Sequence, residues 1–316
     1  MAIDAQPQKK SPIQLITRTF KEWQDDRASR LAAALTFYAV LSIPPLLVLI
    51  STLIGQFASR ETAQRTIRMQ AQQWIGGEGA NAVQLILDAA TQPTNLSLAA
   101  LISFAVLFFS ASGIFVQLQE AMNTIWNVMP DPDKGLMNTI RKRAISFVMV
   151  LVAGLLFLLL IVVSSVVAFL GNAISEFLPG WLPIIQVLNG VLALVMLTGV
   201  FALMYKILPD VKVEWRDVGV GAAVTAVLLL LGVLLLGVYL RFSNPASAYG
   251  AAGSLIALMI WLYFSAQVFL LGAEFTQVYT NMYGGRMVVE EGAVRFSRVT
   301  QTHKPEAGTQ ARGEAG

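Results

Sequence analysis

Apolar positions along this chain gather into six long runs separated by short polar stretches: residues 31–57, 98–118, 144–170, 182–205, 218–240 and 250–275. A helix needs about 20 predominantly apolar residues to cross a bilayer, and each run reaches that length. The pattern predicts an all-α, polytopic integral membrane protein whose six transmembrane helices lie between residues 27 and 285. Ahead of the first run, Ile13, Ile16, Phe20 and Trp23 recur at helical spacing beside Arg18 and Lys21. Residues 12–26 therefore read as an amphipathic helix lying in the membrane interface. Residues 1–10 are polar and lack the apolar core of a signal peptide; with the helix they make an N-terminal segment, 1–26.

The polar stretches carry patterns of their own. Residues 58–95 hold two short helical faces, Ile67, Ala71, Trp74 and Ile75, then Val83, Ile86 and Leu87, separated by Gly76, Gly77 and Gly79. This predicts a small extracytoplasmic helical cap. The pattern of the second run continues over residues 119–128, with Met122, Ile125 and Trp126 apolar, until Pro130 and Pro132 end it. Gly284 and Gly285 stop the sixth helix, and residues 286–316 are poor enough in apolar side chains to read as a disordered cytoplasmic tail.

The sixth run contains no Lys, Arg or Asp, and its one acid, Glu274, stands at its end. Its small-residue start (Gly250, Ala251, Ala252, Gly253) permits close approach of another helix, and the fifth run opens with Gly219, Gly221, Ala222 and Ala223. Trp261 and Tyr263 fall near its middle rather than at the interfaces where such rings gather. The expectation is an inner wall, with Trp261, Tyr263 and Gln267 turned toward the bundle. In the first run, Ser42, Pro44 and Pro45 sit near the centre. A proline breaks a helix hydrogen bond, and in a bilayer the freed carbonyl must find protein or water. Two readings stand: a tolerated kink, or an unwound segment lining a cavity.

Composition and charge then fix the orientation. Charged residues make up 13% of the chain and its mean hydropathy is +0.64, against about 25% charged in soluble domains. With the N-terminus inside, 18 of the 22 Lys and Arg residues fall in the cytoplasmic segments and only Arg60, Arg65, Arg68 and Arg241 outside. That bias predicts a multi-pass inner-membrane protein with both termini cytoplasmic. The net charge of +3 thus reflects orientation, and no nucleic-acid partner is expected.

Little chemistry is available. Cysteine is absent and His303, in the tail, is the single histidine, so no metal, cofactor or zinc-hydrolase site is expected. Hydrolysis of RNA needs a metal or an acid–base pair. The paired carboxylates Asp131 and Asp133 flank Pro132, an ordinary turn composition. The chain is not expected to be an enzyme. Ion-coupled transporters carry an ionisable group within the bilayer; none of the runs has one at mid-depth. Glu274 is nearest, expected at the cytoplasmic edge, either capped by water or paired with a base such as Arg30, or else serving as a gate or headgroup contact.

The polar set inside the runs is neutral: Ser42, Asn189, Tyr263 and Gln267, with Ser103, Ser110 and Ser112 on the second. Such groups bond neighbouring helices or line a groove for an amphiphile. A candidate substrate path comprises Ser42, Pro44, Pro45, Asn189, Tyr263, Gln267 and Glu274, with membrane lipids as partners. Arg141, Lys142 and Arg143 serve the orientation rule and could also gather anionic headgroups.

Several stretches resemble a known family. AAALTFYAVLSIPPLL (Ala32 to Leu47) is similar to the first-helix signature of the YihY/BrkB family of bacterial inner-membrane proteins. So are Asn123 with Trp126, LPDVKVEWRDVGVGA (Leu208 to Ala222) and the whole sixth helix. The matching positions are Tyr38, Asn123, Trp126, Pro209, Gly221, Tyr249, Gly250, Trp261 and Gly272. Pro44 departs from the pattern, which more often has a small residue there. The resemblance runs from about Phe20 to Tyr283 and implies a six-helix protein of the inner membrane. Members were once labelled ribonuclease BN, a label now regarded as mistaken; some are discussed as serum-resistance factors and some as candidate transporters of anionic lipids. Together with the neutral polar set, this implies a transporter or flippase-like protein for an amphiphile such as an anionic lipid. The competing reading is a non-transporting structural or assembly protein.

Overall fold

A computed structural model describes residues 11–55, 59–90, 113–131, 162–163, 166–167, 171, 182–243, 252–284, 287–290 and 292–296. Outside the described residues lie most of the second and third runs, including Ser103, Ser110 and Ser112. So do Asp133, Arg141 to Arg143, Tyr249, Gly250 and residues 297–316 with His303.

Helix α1 spans Pro12–Asp25, with proline at its start, where the missing N–H costs nothing. It buries Leu15 and Thr19 and leaves Ile13, Ile16 and Phe20 exposed. An outward apolar stripe is the arrangement that an interfacial helix requires. Asp26 and Arg27, the latter at φ 52, turn the chain into α2, Ala28–Gly55. Helix α2 runs unbroken through Pro44 and Pro45: of the two readings of this segment, the backbone follows the tolerated helix and not the unwound one.

Helix α3, Arg60–Ala90, bends at Gly76, whose φ of 74 is a conformation glycine adopts without a Cβ penalty. The two faces expected on either side of this glycine are both used: Ile67, Ala71 and Ile75, then Val83, Ile86 and Leu87, pack round Leu47 and Ile43 of α2. Ser254 donates to Glu78 Oε2 at 3.2 Å, tying the start of the last helix to the bend region.

Residues 113–125 form α4. The expected continuation to 128 is corrected. Asn127 takes φ 53, a left-handed conformation that asparagine tolerates and that ends helices, and the chain enters strand β1, Val128–Pro130. Helix α5 is Leu182–Ile207, β2 Val211–Lys212, α6 Trp215–Ser243 and α7 Gly253–Tyr283. Among the described residues three helices are long and apolar enough to cross a membrane, over Val187–Ile207, Trp215–Tyr239 and Gly253–Tyr283; Ala28–Pro44 is a shorter apolar helix. The outer faces of α5 and α6 expose Val187, Leu188, Val195, Leu234, Leu235 and Phe242, the last to 83%. In water such a belt is costly; against lipid it costs nothing.

The all-helical expectation is corrected at one place. Beyond α7, β3 (Val288–Val289) pairs antiparallel with β2, and β4 (Ala293–Arg295) pairs antiparallel with β1 in the register Val128↔Arg295, Met129↔Val294, Pro130↔Ala293. Residues 287–290 and 292–296, read from composition as disordered, therefore form a clasp over the ends of α4 and α5. The low apolar content of 286–316 as a whole hides this stretch, in which Met287, Val288, Val289, Ala293, Val294 and Phe296 are apolar and each strand completes an edge supplied by a distant loop.

Candidate functional site

The main core lies at the clasp end of the bundle. Ala28, Ala32, Met122, Ile125, Trp126, Val218, Ala222 and Ala273 are all buried there. Small residues on α2, α6 and α7 bring the backbones close, and the larger chains of α4 and α5 fill the remaining space.

Into this core is set a polar node. Asn123 Nδ2 donates to Asp210 Oδ2 at 2.9 Å, and the Asp210 backbone N–H donates back to Asn123 Oδ1 at 2.9 Å. Gln119 Nε2 reaches Asp210 Oδ1 at 3.3 Å. The Glu290 N–H donates to the Asp210 carbonyl at 3.0 Å, so the clasp is fastened to the same residue. A buried carboxylate is tolerable only with such donors. Asp210 follows Pro209 between α5 and β2, so the node holds the α4 end, the α5 exit and the clasp in one register.

A second node joins α5, α6 and α7. Tyr205, fully buried, donates to the Phe269 carbonyl at 2.7 Å and lies 3.0 Å from Thr225 Oγ1. The α6–α7 contact is interlocked. A β-carbon at Gly272 would collide with Thr225 Oγ1, and one at Gly221 with Thr276 Oγ1. Each threonine hydroxyl donates to the carbonyl four residues back, Gly221 and Gly272 respectively, both at 2.7 Å. Further along, a β-carbon at Gly232 would strike the Phe264 ring. Small residues opposite side chains of this kind let membrane helices pack closely. The close approach thus uses Gly221, while Gly219 meets nothing within 4 Å. Antiparallel helices explain this: the start of α6 meets the second half of α7, not its Gly253 end.

The expected substrate-path residues are not gathered at one place. Ser42 is buried and its Oγ donates to Tyr38 O at 2.7 Å within α2, while the Tyr38 ring fits against Gly113 of α4. Asn189 lies in the N-terminal half of α5, its Oδ1 buried. Tyr263 is 38% exposed, so the inner-wall expectation is corrected for that residue; Trp261 and Gln267 are half-buried. The buried stretch of α7 runs instead from Val268 to Thr280. Glu274 lies inside it, fully buried, and Arg30 is exposed and makes no ion pair among the described residues.

Tyr263, Gln267 and Glu274 do share one face of α7, since their spacings of four and seven residues return to the same side of a helix. Sequence reasoning missed Asp210, Gln119, Tyr205, Thr225 and Thr276. Asp210 stood within a motif already quoted, but its partners come from α4, 87 residues away in sequence.

Buried polar nodes, exposed apolar belts and, among the described residues, three helices of membrane length define an integral membrane protein of packed helices. The profile of the family described as Virulence factor BrkB matches residues 19–293, and the chain belongs to that family. It is 29% identical to a UPF0761 membrane protein of Tolumonas auensis over 79% of this chain and 80% of that one. It is 25% identical to a UPF0761 membrane protein of Pseudomonas aeruginosa (strain LESB58) over 78% of this chain, and 26% identical to one of Rhodospirillum centenum over 85%. The chain spans only 58% of the length of each of these last two relatives. No solved structure matches it.

Proposed function

We propose that this protein is a non-enzymatic transporter or flippase-like protein for an amphiphilic substrate such as an anionic lipid. We propose further that it has six spans in the bacterial inner membrane and both termini in the cytoplasm, on the charge bias of 18 to 4. The observation that carries the transport reading is the polar stripe of α7. It starts at the exposed Tyr263, passes the half-buried Gln267, whose Oε1 has no hydrogen-bond partner among the described residues, and ends at the fully buried Glu274. A stripe graded from surface to interior suits a headgroup that slides along a helix while its chains stay in lipid.

The test is lipid translocation in proteoliposomes of the purified protein. Translocation above that of empty vesicles, lowered by Gln267→Leu and Glu274→Gln in variants that melt as the wild type does, is expected. A rate equal to that of empty vesicles removes the transport reading. It would leave the structural or assembly role, which the interlocked α6–α7 contact and the clasp favour.

A further inference from the structure

Beneath the clasp lies a cavity of about 360 Å³, lined by Trp126, Asn127, Gln277, Asn281, Arg295 and Phe296, with Met287 at its side. It lies beyond the buried end of the α7 stripe, whose face Gln277 and Asn281 continue past Glu274, and apart from the Asn123–Asp210 node. Among the described residues its wall contains one cation, Arg295, and no acid. Arg295 makes no ion pair among the described residues. Gln277 is only 7% exposed, yet its amide makes no hydrogen bond among the described residues. An amide on so enclosed a residue that opens to a cavity instead of bonding protein, beside an exposed guanidinium with no ion pair among the described residues, points to a ligand with acceptor oxygens.

We propose that this cavity binds an organic phosphodiester monoanion, free in solution or as part of a lipid headgroup. Three features select this chemistry. The one positive charge among the described lining residues matches one negative charge. The donors come from three segments, the end of α4, α7 and β4, so they surround a tetrahedral oxyanion better than a planar carboxylate, and the arginine fork suits phosphate oxygens. The volume exceeds that of a bare phosphate, and Trp126, Met287 and Phe296 offer apolar surface to the attached organic groups. Because Met287, Arg295 and Phe296 belong to the clasp, the ligand would be held between the clasp and α7. The proposal is independent of transport: it concerns a site at the polar end of the bundle, not a path along it.

The test uses the full chain, purified in detergent. Glycerophosphoglycerol is titrated by calorimetry, with acetate as a planar control, and a parallel arm compares melting in nanodiscs of phosphatidylglycerol with melting in phosphatidylcholine. Saturable binding of the soluble diester, weakened about tenfold or more in Arg295→Gln through loss of a charge-assisted hydrogen bond, supports the site and a soluble ligand. A melting increase confined to phosphatidylglycerol, and abolished by Arg295→Gln, supports the site and a lipid headgroup. Should Arg295→Gln fail to fold, Asn281→Ala, at an exposed position, takes its place with the same expectation. Acetate binding as tightly as the diester, no response in either arm, or responses unchanged in the variants would overturn the proposal.

Discussion

Thr225 occupies the space that a side chain at Gly272 would need. A β-carbon there would collide with the Thr225 hydroxyl and come within 2.6 Å of the Tyr205 hydroxyl. The Gly221–Thr276 contact repeats this arrangement with the helices exchanged. Neither threonine can retreat easily, because each hydroxyl is bonded to its own helix. Gly272→Ala and Gly221→Ala should each lower stability by the overpacking cost of about 1–3 kcal/mol. Gly219→Ala, two residues away with open space at its Cβ, should change stability by less than about 0.5 kcal/mol. Thermal unfolding in detergent measures all three; equal melting of the Gly219 and Gly221 variants would contradict the interlock.

The Asn123–Asp210 pair gives a second expectation. Asn123→Ala removes the closest side-chain donor from a buried carboxylate and should cost about 2–3 kcal/mol. Asp210→Asn keeps the shape without the charge and should cost less. A double-mutant cycle should return a coupling above about 1 kcal/mol. Strict additivity would mean that the two side chains meet without holding anything together.

Two truncations separate the clasp from the residues beyond it. A chain ending at Phe296 retains β3 and β4 and should melt with the full-length protein. One ending at Gly284 loses both strand pairs and the Glu290 bond to Asp210. Its loss should be about 2–4 kcal/mol, a few backbone hydrogen bonds at about 1 kcal/mol each. Identical melting curves would show the clasp to be ornamental to stability.

Topology is accessible because the chain has no cysteine of its own. Trp126 is fully buried and unsuited to labelling, but Met129 beside it is exposed, as is Leu85 in the second half of α3. A cysteine at position 85 should react with an impermeant maleimide in intact cells, and one at position 129 only after the inner membrane is opened. The reverse pattern would invert the proposed orientation.

The helices of membrane length were legible in the sequence because a run of apolar residues reports directly on its solvent. The break at Gly76 was legible too, since glycine between two amphipathic faces has few other uses. Everything built from pairs distant in sequence escaped. Asp210 looks like a turn residue until Asn123 is beside it, and Val288, Val289 and Val294 look like tail until strands from two loops meet them. The mid-helix position of Tyr263 suggested burial, yet the buried face of α7 lies further along, where Gly272 and Thr276 admit α6. Small residues mark where helices approach, but antiparallel pairing decides which ones meet.

The clasp also sets an order for biogenesis. Strand β1 emerges from the ribosome long before β4, with residues 131–292 synthesised in between, and β2 likewise waits for β3. Until then both loops present open strand edges, which invite pairing with the wrong chain. Contacts this far apart in sequence form late. Translation of the last strands is therefore the step that closes the polar end of the molecule, and a ribosome stalled before residue 287 would leave a chain whose helices are inserted but whose end is unlatched.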